Sequence, residues 1–426
     1  MHTPFSQLQI YVFFCFLPNA LHKKCPFSAE KKSALCKKRI INKIKTLFFA
    51  LSTILYKIKH NTTQHNTTTP FMELKQVSLY DDNLELYNEQ LRDIGAAKEY
   101  VYLETFRFND DAMGVRFCQA LAEKARQGVK VRVLVDAWGT RQKKSFFDPI
   151  VQAGGEVRWF KKLILTLNFI SDNHRRDHRK VLVIDNRIAY IGSANISAYS
   201  LSWRELNLRI EDPMARLFQK VFNDNYAIYN RMDLDKLRFK RDINYKQMTI
   251  IQEIPSRRRQ RLSRRYEAMI RSAKRSVVIE TPYFLANSRL RKALISAAQR
   301  GVEVTVISPL NSDVMAADIV RRHSLGTLHD GGVHFKFYTP GNLHAKCLLI
   351  DGELFSISSA NFDFRSFQHQ HEVALIGHNE QITLLLANHI EKTLSYCVNF
   401  SYEEWIKRSR FDRAVEWMLL PLRFLM

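Results

Sequence analysis

The chain has 426 residues, 46% of them hydrophobic and 25% charged, which is enough for two or three domains around a large apolar core. With only 14 glycines and 11 prolines it is neither collagen-like nor broadly disordered. The 65 Lys+Arg against 42 Asp+Glu leave a net charge of +23, which favours a polyanionic partner, either nucleic acid or an anionic membrane. The six cysteines (Cys15, Cys25, Cys36, Cys118, Cys347, Cys397) include no C-x-x-C pair. Neither a zinc site nor a disulfide framework is indicated, and a reducing compartment is the simpler setting.

Residues 1–71 stand apart, with eleven Lys+Arg and a single acid, Glu30. Their apolar runs, residues 10–17 and 47–55, fall short of the roughly 18 to 20 residues that span a bilayer, so no transmembrane helix is predicted. A signal peptide is disfavoured, because no Lys or Arg precedes the first run and no good small-x-small cleavage site follows it. A polar low-complexity tract over residues 61–70 gives way at Met72 to periodic, foldable sequence. Either residues 1–71 are upstream translation before a start at Met72, or residues 37–59 form a basic amphipathic anchor on anionic lipid.

From Met72 onward the chain repeats itself. A strand ending in Glu104 and Thr105 leads through a helix to Gly128 and a second strand over residues 129–135. A strand ending in Glu280 and Thr281 leads in the same way to Gly301 and a strand over residues 302–307. Each is a β-α-β unit, whose parallel strands need a right-handed helical crossover. The predicted divisions are an N-terminal extension (1–71), a first α/β half (72–243), a second (244–396) and an amphipathic tail (397–426). The arginine-rich stretch 257–261 is predicted to be a solvated helix face near the junction rather than a phosphate site.

Each half then carries one constellation twice over. The first has His178, Lys180 and Asp185, then Gly192, Ser193 and Asn195, then Glu205. The second has His344, Lys346 and Asp351, then Ser358, Ser359 and Asn361, then Glu372. On a strand, His and Lys two apart project from one face and present an imidazole beside an ammonium. The aspartate, seven after the histidine, has the opposite parity and suits a structural turn or ion pair. Ser193, Asn195, Ser359 and Asn361 are short donors suited to an anion. Glu205 or Glu372 is the natural partner for the far ring nitrogen of each histidine, fixing its tautomer. No carboxylate cluster of metal-ligand type lies near these motifs, so no metal and no cofactor are expected.

The doubled pattern H-x-K-x4-D-x6-G-S-x-N, with Ser358 replacing the glycine in its second copy, resembles the phospholipase D superfamily and covers most of residues 72–426. The run from Glu280 to Phe284 and the run from Ser359 to Ser366 leading to Glu372 are similar to its bacterial cardiolipin synthase branch. His371, before Glu372, is a further departure, and the two membrane helices of some members are lacking. The resemblance implies an α/β fold of two pseudo-symmetric halves, each a mixed sheet flanked by helices, which share one active site. It implies a catalytic set of His178, Lys180, Asp185, His344, Lys346 and Asp351. By the same analogy His178 attacks phosphorus, His344 protonates the leaving alkoxide, and a phosphohistidine passes the group on. Lys180 and Lys346 would neutralise the phosphodiester, while Ser193, Asn195, Ser359 and Asn361 would bind its equatorial oxygens.

Substrate choice is argued from the flanks. Residues 405–426 hold Trp405, Trp417 and five Lys+Arg, which suits either an interfacial helix on anionic lipid or a cap on the second half. Residues 163–170 form an apolar strip before the first motif, either an acyl-chain entrance or a buried strand. The expected activity is transfer of a phosphatidyl group between two phosphatidylglycerol molecules with release of glycerol. Its expected setting is peripheral, on the cytoplasmic side of a bacterial membrane, with an anionic phospholipid as substrate, no nucleic acid and no obligate protein partner. Hydrolysis by water, as a phospholipase D or a nuclease, is the alternative. The nuclease is disfavoured because aromatic residues do not interleave with Lys/Arg as in a strand-tracking groove. A membrane scaffold with a dead site is disfavoured by the intact His, Lys, Asn and Glu of both halves.

Overall fold

In a computed structural model, which describes residues 74–161, 174–229, 241–256 and 258–425, the sequence repeat becomes a repeat of sheets. Residues 1–71, with the anchor expected at 37–59, and the apolar strip at 163–170 lie outside the described residues. The first half contains strands β1 (Gln76–Tyr80), β2 (Tyr100–Thr105), β3 (Lys130–Asp136), β4 (Glu156–Phe160), β5 (Arg176–Asp177), β6 (Val181–Ile184), β7 (Ile188–Gly192) and β8 (Asn207–Glu211). Its helices are α1 (Asn83–Gly95), α2 (Ala112–Arg126), α3 (Asp148–Gln152) and α4 (Ala215–Ile228). Asp82 and Asp111 start the first two helices by accepting hydrogen bonds from first-turn N–H groups. After α2 the chain turns through Gly128 at φ 84°, a left-handed position that suits glycine, and Gly301 repeats this at φ 85°. β2 and β3 pair in parallel around α2. Every residue of β2 is buried, as expected of a parallel strand covered on both faces.

The second half contains β9 (Asp242–Tyr245), β10 (Met248–Glu253), β11 (Ser276–Glu280), β12 (Glu303–Pro309), β13 (Val333–Tyr338), β14 (Cys347–Ile350), β15 (Leu354–Ser358), β16 (Gln370–His378) and β17 (Cys397–Asn399). Its helices are α5 (Arg261–Ser272), α6 (Ser288–Gln299), α7 (Met315–Asp330), α8 (Phe364–His369), α9 (Glu380–Leu394), α10 (Tyr402–Ile406) and α11 (Arg410–Leu419). The first sheet runs β1-β8-β7-β6-β2-β3-β4 and the second contains β10-β16-β15-β14-β11-β12-β13, the same order strand for strand. Both sheets are mixed and helix-flanked, as the resemblance implied.

Three apolar layers hold this together. Between the sheets, Phe218 and Phe222 of α4 and Ile382 and Leu386 of α9 pack with Val181, Ile191, Phe355 and Val373, all fully or almost fully buried. Each large side chain buried there contributes about 1.5–3 kcal/mol. Outside the first sheet lie Leu86 of α1 and Phe117 and Leu121 of α2. Outside the second lie Leu262 of α5, Leu294 of α6 and Leu328 of α7.

Two features bear on the expected divisions. The second sheet begins at Asp242, because β9 pairs with β10 across the expected junction at 243/244. The segment 397–426 is no separate tail at its start: β17 extends the second sheet beside β13, and Trp405 donates its indole N–H to the Arg322 carbonyl. A Cβ on Gly326 would fall 2.1 Å from the Trp405 ring, so the glycine makes room for that cap.

Candidate active site

Two short parallel contacts cross from one half to the other and decide the site. Arg176 and Asp177 pair with Gln370 and His371, and Arg204 bridges to Leu343. In each case the residue before a motif histidine lies beside the residue before the other half's glutamate. The backbone bonds agree: His178 N–H donates to His371 O (3.0 Å) and His344 N–H to Arg204 O (2.7 Å).

The imidazole–carboxylate pairs are therefore crossed. His178 Nδ1 lies 3.0 Å from Glu372 Oε1, and His344 Nδ1 lies 2.8 Å from Glu205 Oε1. With Nδ1 occupied, Nε2 of each ring is the nitrogen left for chemistry. Both histidines line one cavity of about 350 Å3, together with Phe106, Arg107, Trp138, Arg141, Asn195, Trp203, Tyr283, Asn361 and Arg365. The Phe106 and Trp203 rings pack against His178 and His344 at 5.0 and 5.4 Å between centroids.

Lys180 and Lys346 are buried beside these histidines and do not line the cavity. Lys180 Nζ donates to His178 O (2.7 Å), and Lys346 Nζ to His344 O (2.6 Å). Burial lowers Lys180 to about 7 and Lys346 to about 8, against the pull of the two glutamates. Burial and the charges of Lys180, Lys346 and His344 push His178 far below its ordinary value. His344 is also lowered by burial, with Glu205 opposing. Burial raises Glu372 to about 8, whereas His344 and Lys346 overcome burial at Glu205 and keep it below the usual carboxylate value.

Several expected site residues sit elsewhere. Ser193 and Ser359 do not line this cavity. Ser193 Oγ accepts from Leu206 N–H (2.9 Å), and Ser359 Oγ accepts from Val373 N–H (3.0 Å) while donating to Glu372. Each serine pins the backbone just after a glutamate, a task its buried hydroxyl meets at the strand edge. Asp185 and Asp351 are not in the cavity either. They occupy left-handed turns (φ 52° and 55°), where their carboxylates accept N–H groups of Lys98, Glu99 and Tyr100, and of Lys274, Arg275 and Ser276. The catalytic role that the resemblance implied for them gives way to the turn role that their parity suggests. Asn195 and Asn361 do line the cavity. Arg107 N–H takes Asn195 Oδ1, leaving its amide nitrogen as donor, and Asn361 Oδ1 is buried without a partner among the described residues.

Arg107, Arg141 and Arg365, with Trp138 and Trp203, were not singled out from sequence. A usable signal was that Arg107 and Tyr283 each follow the Glu-Thr pair at the ends of β2 and β11, Thr281 lying just past its strand, at the carboxyl ends where α/β sheets place ligands. Among the described residues, no group of His, Cys, Asp and Glu could hold a metal ion, and no helix is long and apolar enough to cross a membrane.

A family model described as "Cardiolipin synthase, PLD-like domain" matches residues 91–226 and 266–394, one block in each half. The chain belongs to the phospholipase D superfamily, in its cardiolipin synthase branch. Relatives agree. Cardiolipin synthase of Listeria welshimeri is 31% identical over 363 residues, 82% of this chain and 75% of that protein. Cardiolipin synthase of Clostridium perfringens is 29% identical over 373 residues, 83% of this chain and 77% of its own length. A crystal structure of phosphatidylserine synthase from Haemophilus influenzae shares the fold, with a TM-score of 0.65 at 14% identity over 84% of this chain and 97% of that one. As a member of the cardiolipin synthase branch, the chain is an enzyme of the phosphatidyltransferase type, and the paired cavity of its two halves is the place to seek that chemistry.

Proposed function

We propose that this protein transfers the phosphatidyl group of one phosphatidylglycerol to the free hydroxyl of another, releasing glycerol and forming cardiolipin at an anionic membrane surface. The observation that carries it is the crossed geometry: two imidazoles, each oriented by a carboxylate of the opposite half, open on one cavity lined by Arg107, Arg141 and Arg365. The arginines and the buried Lys180 and Lys346 would offset the charge of a phosphodiester.

Asymmetry between the two pairs supports one division of roles. Glu205 keeps its charge and opposes the burial that lowers His344, while the positive charges around His178 add to the burial that lowers it. His178 Nε2 therefore attacks phosphorus as the bond to the glycerol oxygen breaks, and His344 gives that oxygen its proton. In the second step neutral His344 takes the proton of the incoming hydroxyl, whose oxygen attacks phosphorus as the bond to nitrogen breaks. Two inversions give net retention. Asn195 is placed to donate to the equatorial oxygens.

The test is incubation of purified protein with phosphatidylglycerol vesicles, followed by lipid mass analysis. Equimolar cardiolipin and glycerol are expected. Phosphatidic acid alone would replace transfer by hydrolysis, and unchanged lipid would overturn the reading.

A further inference from the structure

A second cavity, of about 180 Å3, lies beyond one wall of the catalytic one. Leu285, Ala317, Val320 and Phe364 pack together there with Tyr283 and Leu420. Successive residues face opposite ways: Tyr283, Ala317, Asp363 and Arg365 line the catalytic cavity, whereas Leu285, Val320 and Phe364 line the second.

The second cavity is cationic and contains no carboxylate. Arg291 of α6, His323 of α7 and Arg423 of the C-terminal turn (Leu420–Leu425) line it, with Ser324 and Thr327. Arg291 donates one bond, to Ala286 O (2.7 Å), and has no ion pair among the described residues. Arg423 has only ring contacts there, with Phe364 at 5.5 Å and Phe424 at 5.0 Å, and its Nε is buried without a partner. Burial and mutual repulsion with Arg423 lower Arg291, and Arg408, Arg291 and Arg423 add to burial in lowering His323. Two arginines gathered without an acid are costly unless an anion joins them, and the imidazole of His323 beside them is a further donor for that anion. The neighbouring surface is apolar: Phe411, Trp417, Met418, Leu422 and Phe424 are 76, 73, 63, 44 and 40% exposed on the same C-terminal segment. An anion here would thus sit beside side chains suited to an acyl layer and an interfacial aromatic belt.

We propose that Arg291, Arg423 and His323 bind the phosphate of an anionic phospholipid at this site, separately from the phosphodiester at the two histidines. The identity of the lipid rests on the function proposed above, whereas the anion site rests on the pocket alone.

Binding to phosphatidylglycerol/phosphatidylcholine vesicles by co-sedimentation tests this on three proteins: wild type, the double variant Arg291→Gln/Arg423→Gln, and Thr327→Glu, which adds an acid at an exposed edge without touching the core. The double variant should bind about twenty-five-fold more weakly, from about fivefold per arginine, and Thr327→Glu should bind several-fold more weakly. Unchanged binding in both variants overturns the site. Turnover of bis(4-nitrophenyl) phosphate, a soluble diester, reads the catalytic cavity without a lipid surface. Its loss in Thr327→Glu would mean that the two cavities are one site and would also overturn the proposal. Millimolar inorganic phosphate that displaces vesicles completely would show a free-phosphate site and overturn the lipid assignment. Weak displacement supports it. If wild type makes no cardiolipin yet binds vesicles through these arginines, the function above fails and this site stands.

Discussion

Glu205 and Glu372 occupy equivalent places in the two halves, yet burial wins at one and charge at the other. Glu205, beside His344 and Lys346, is held below the usual carboxylate value. Glu372, beside His178, is raised to about 8 despite Lys180 and the Ser359 hydroxyl. A duplicated scaffold thus surrounds its two imidazoles with unequal electrostatics, which the proposed division into nucleophile and acid would use. A second pair of equivalents teaches the same about structure. Gly192 faces Asn207 across the strands, where a Cβ would meet Asn207 Oδ1 at 2.5 Å, and that oxygen accepts Ala194 N–H (3.3 Å). In the second half Ala374 faces Ser358, whose own hydroxyl accepts Ala360 N–H (3.2 Å) and a bond from Tyr266. One backbone donor is served by a neighbour in one half and by the local residue in the other. The departure from glycine at Ser358 is therefore a compensated exchange.

The histidines give the hardest test of this inequality. His178→Ala and His344→Ala should each lower phosphatidylglycerol turnover by roughly 10³- to 10⁵-fold. Only His344→Ala should still label His178 with a 4-nitrophenyl diester, whose leaving group needs no proton; labelling of His344 in place of His178 would reverse the roles. The glutamates come next. Glu205→Gln should cost on the order of 10²- to 10⁴-fold in kcat, and Glu372→Gln about tenfold, as its carboxyl is easily protonated already. Equal losses would make the halves equivalent.

Acidity probes the lysines. Lys180 and Lys346 carry their charge below about 7 and 8 and lose it as pH rises through those values. On the soluble diester kcat/KM should therefore fall about tenfold between pH 7 and 8 and more steeply above 8, and Lys346→Met should remove the steeper part of that limb. A flat profile from 7 to 9.5 would show that the ammoniums do not titrate there. The smallest effect is structural. Gly192→Ser should cost about 1–3 kcal/mol in chemical denaturation, and adding Asn207→Ala should recover only part of it, because the Leu206 carbonyl, 2.4 Å from the added Cβ, remains.

The repeat of β-α-β units was readable because apolar alternation and the closing glycines at 128 and 301 are local features. The spacing of His, Lys and Glu was equally readable, as was the outward parity of Asp185 and Asp351. The task of Ser193 and Ser359 was not: a hydroxyl near an anion motif and one that pins a strand look alike until the neighbouring backbone is in place. His371 shows the same limit. It matches Arg204, yet Arg204 bonds Asp81 and Thr393, while both ring nitrogens of His371 are buried without partners among the described residues beside Phe160.

The sequence by itself determined that two like motifs exist, on two like sheets, in a chain of the phospholipase D type. Only the tertiary structure decided that each imidazole takes its carboxylate from the other half, that three arginines share the cavity, and that part of the C-terminal segment caps the second sheet. The reason is physical. Periodicity and spacing are written along one stretch of chain, whereas the bridges of Arg204 to Leu343 and Asp177 to His371 join residues more than a hundred positions apart and form only when both sheets bury a common core.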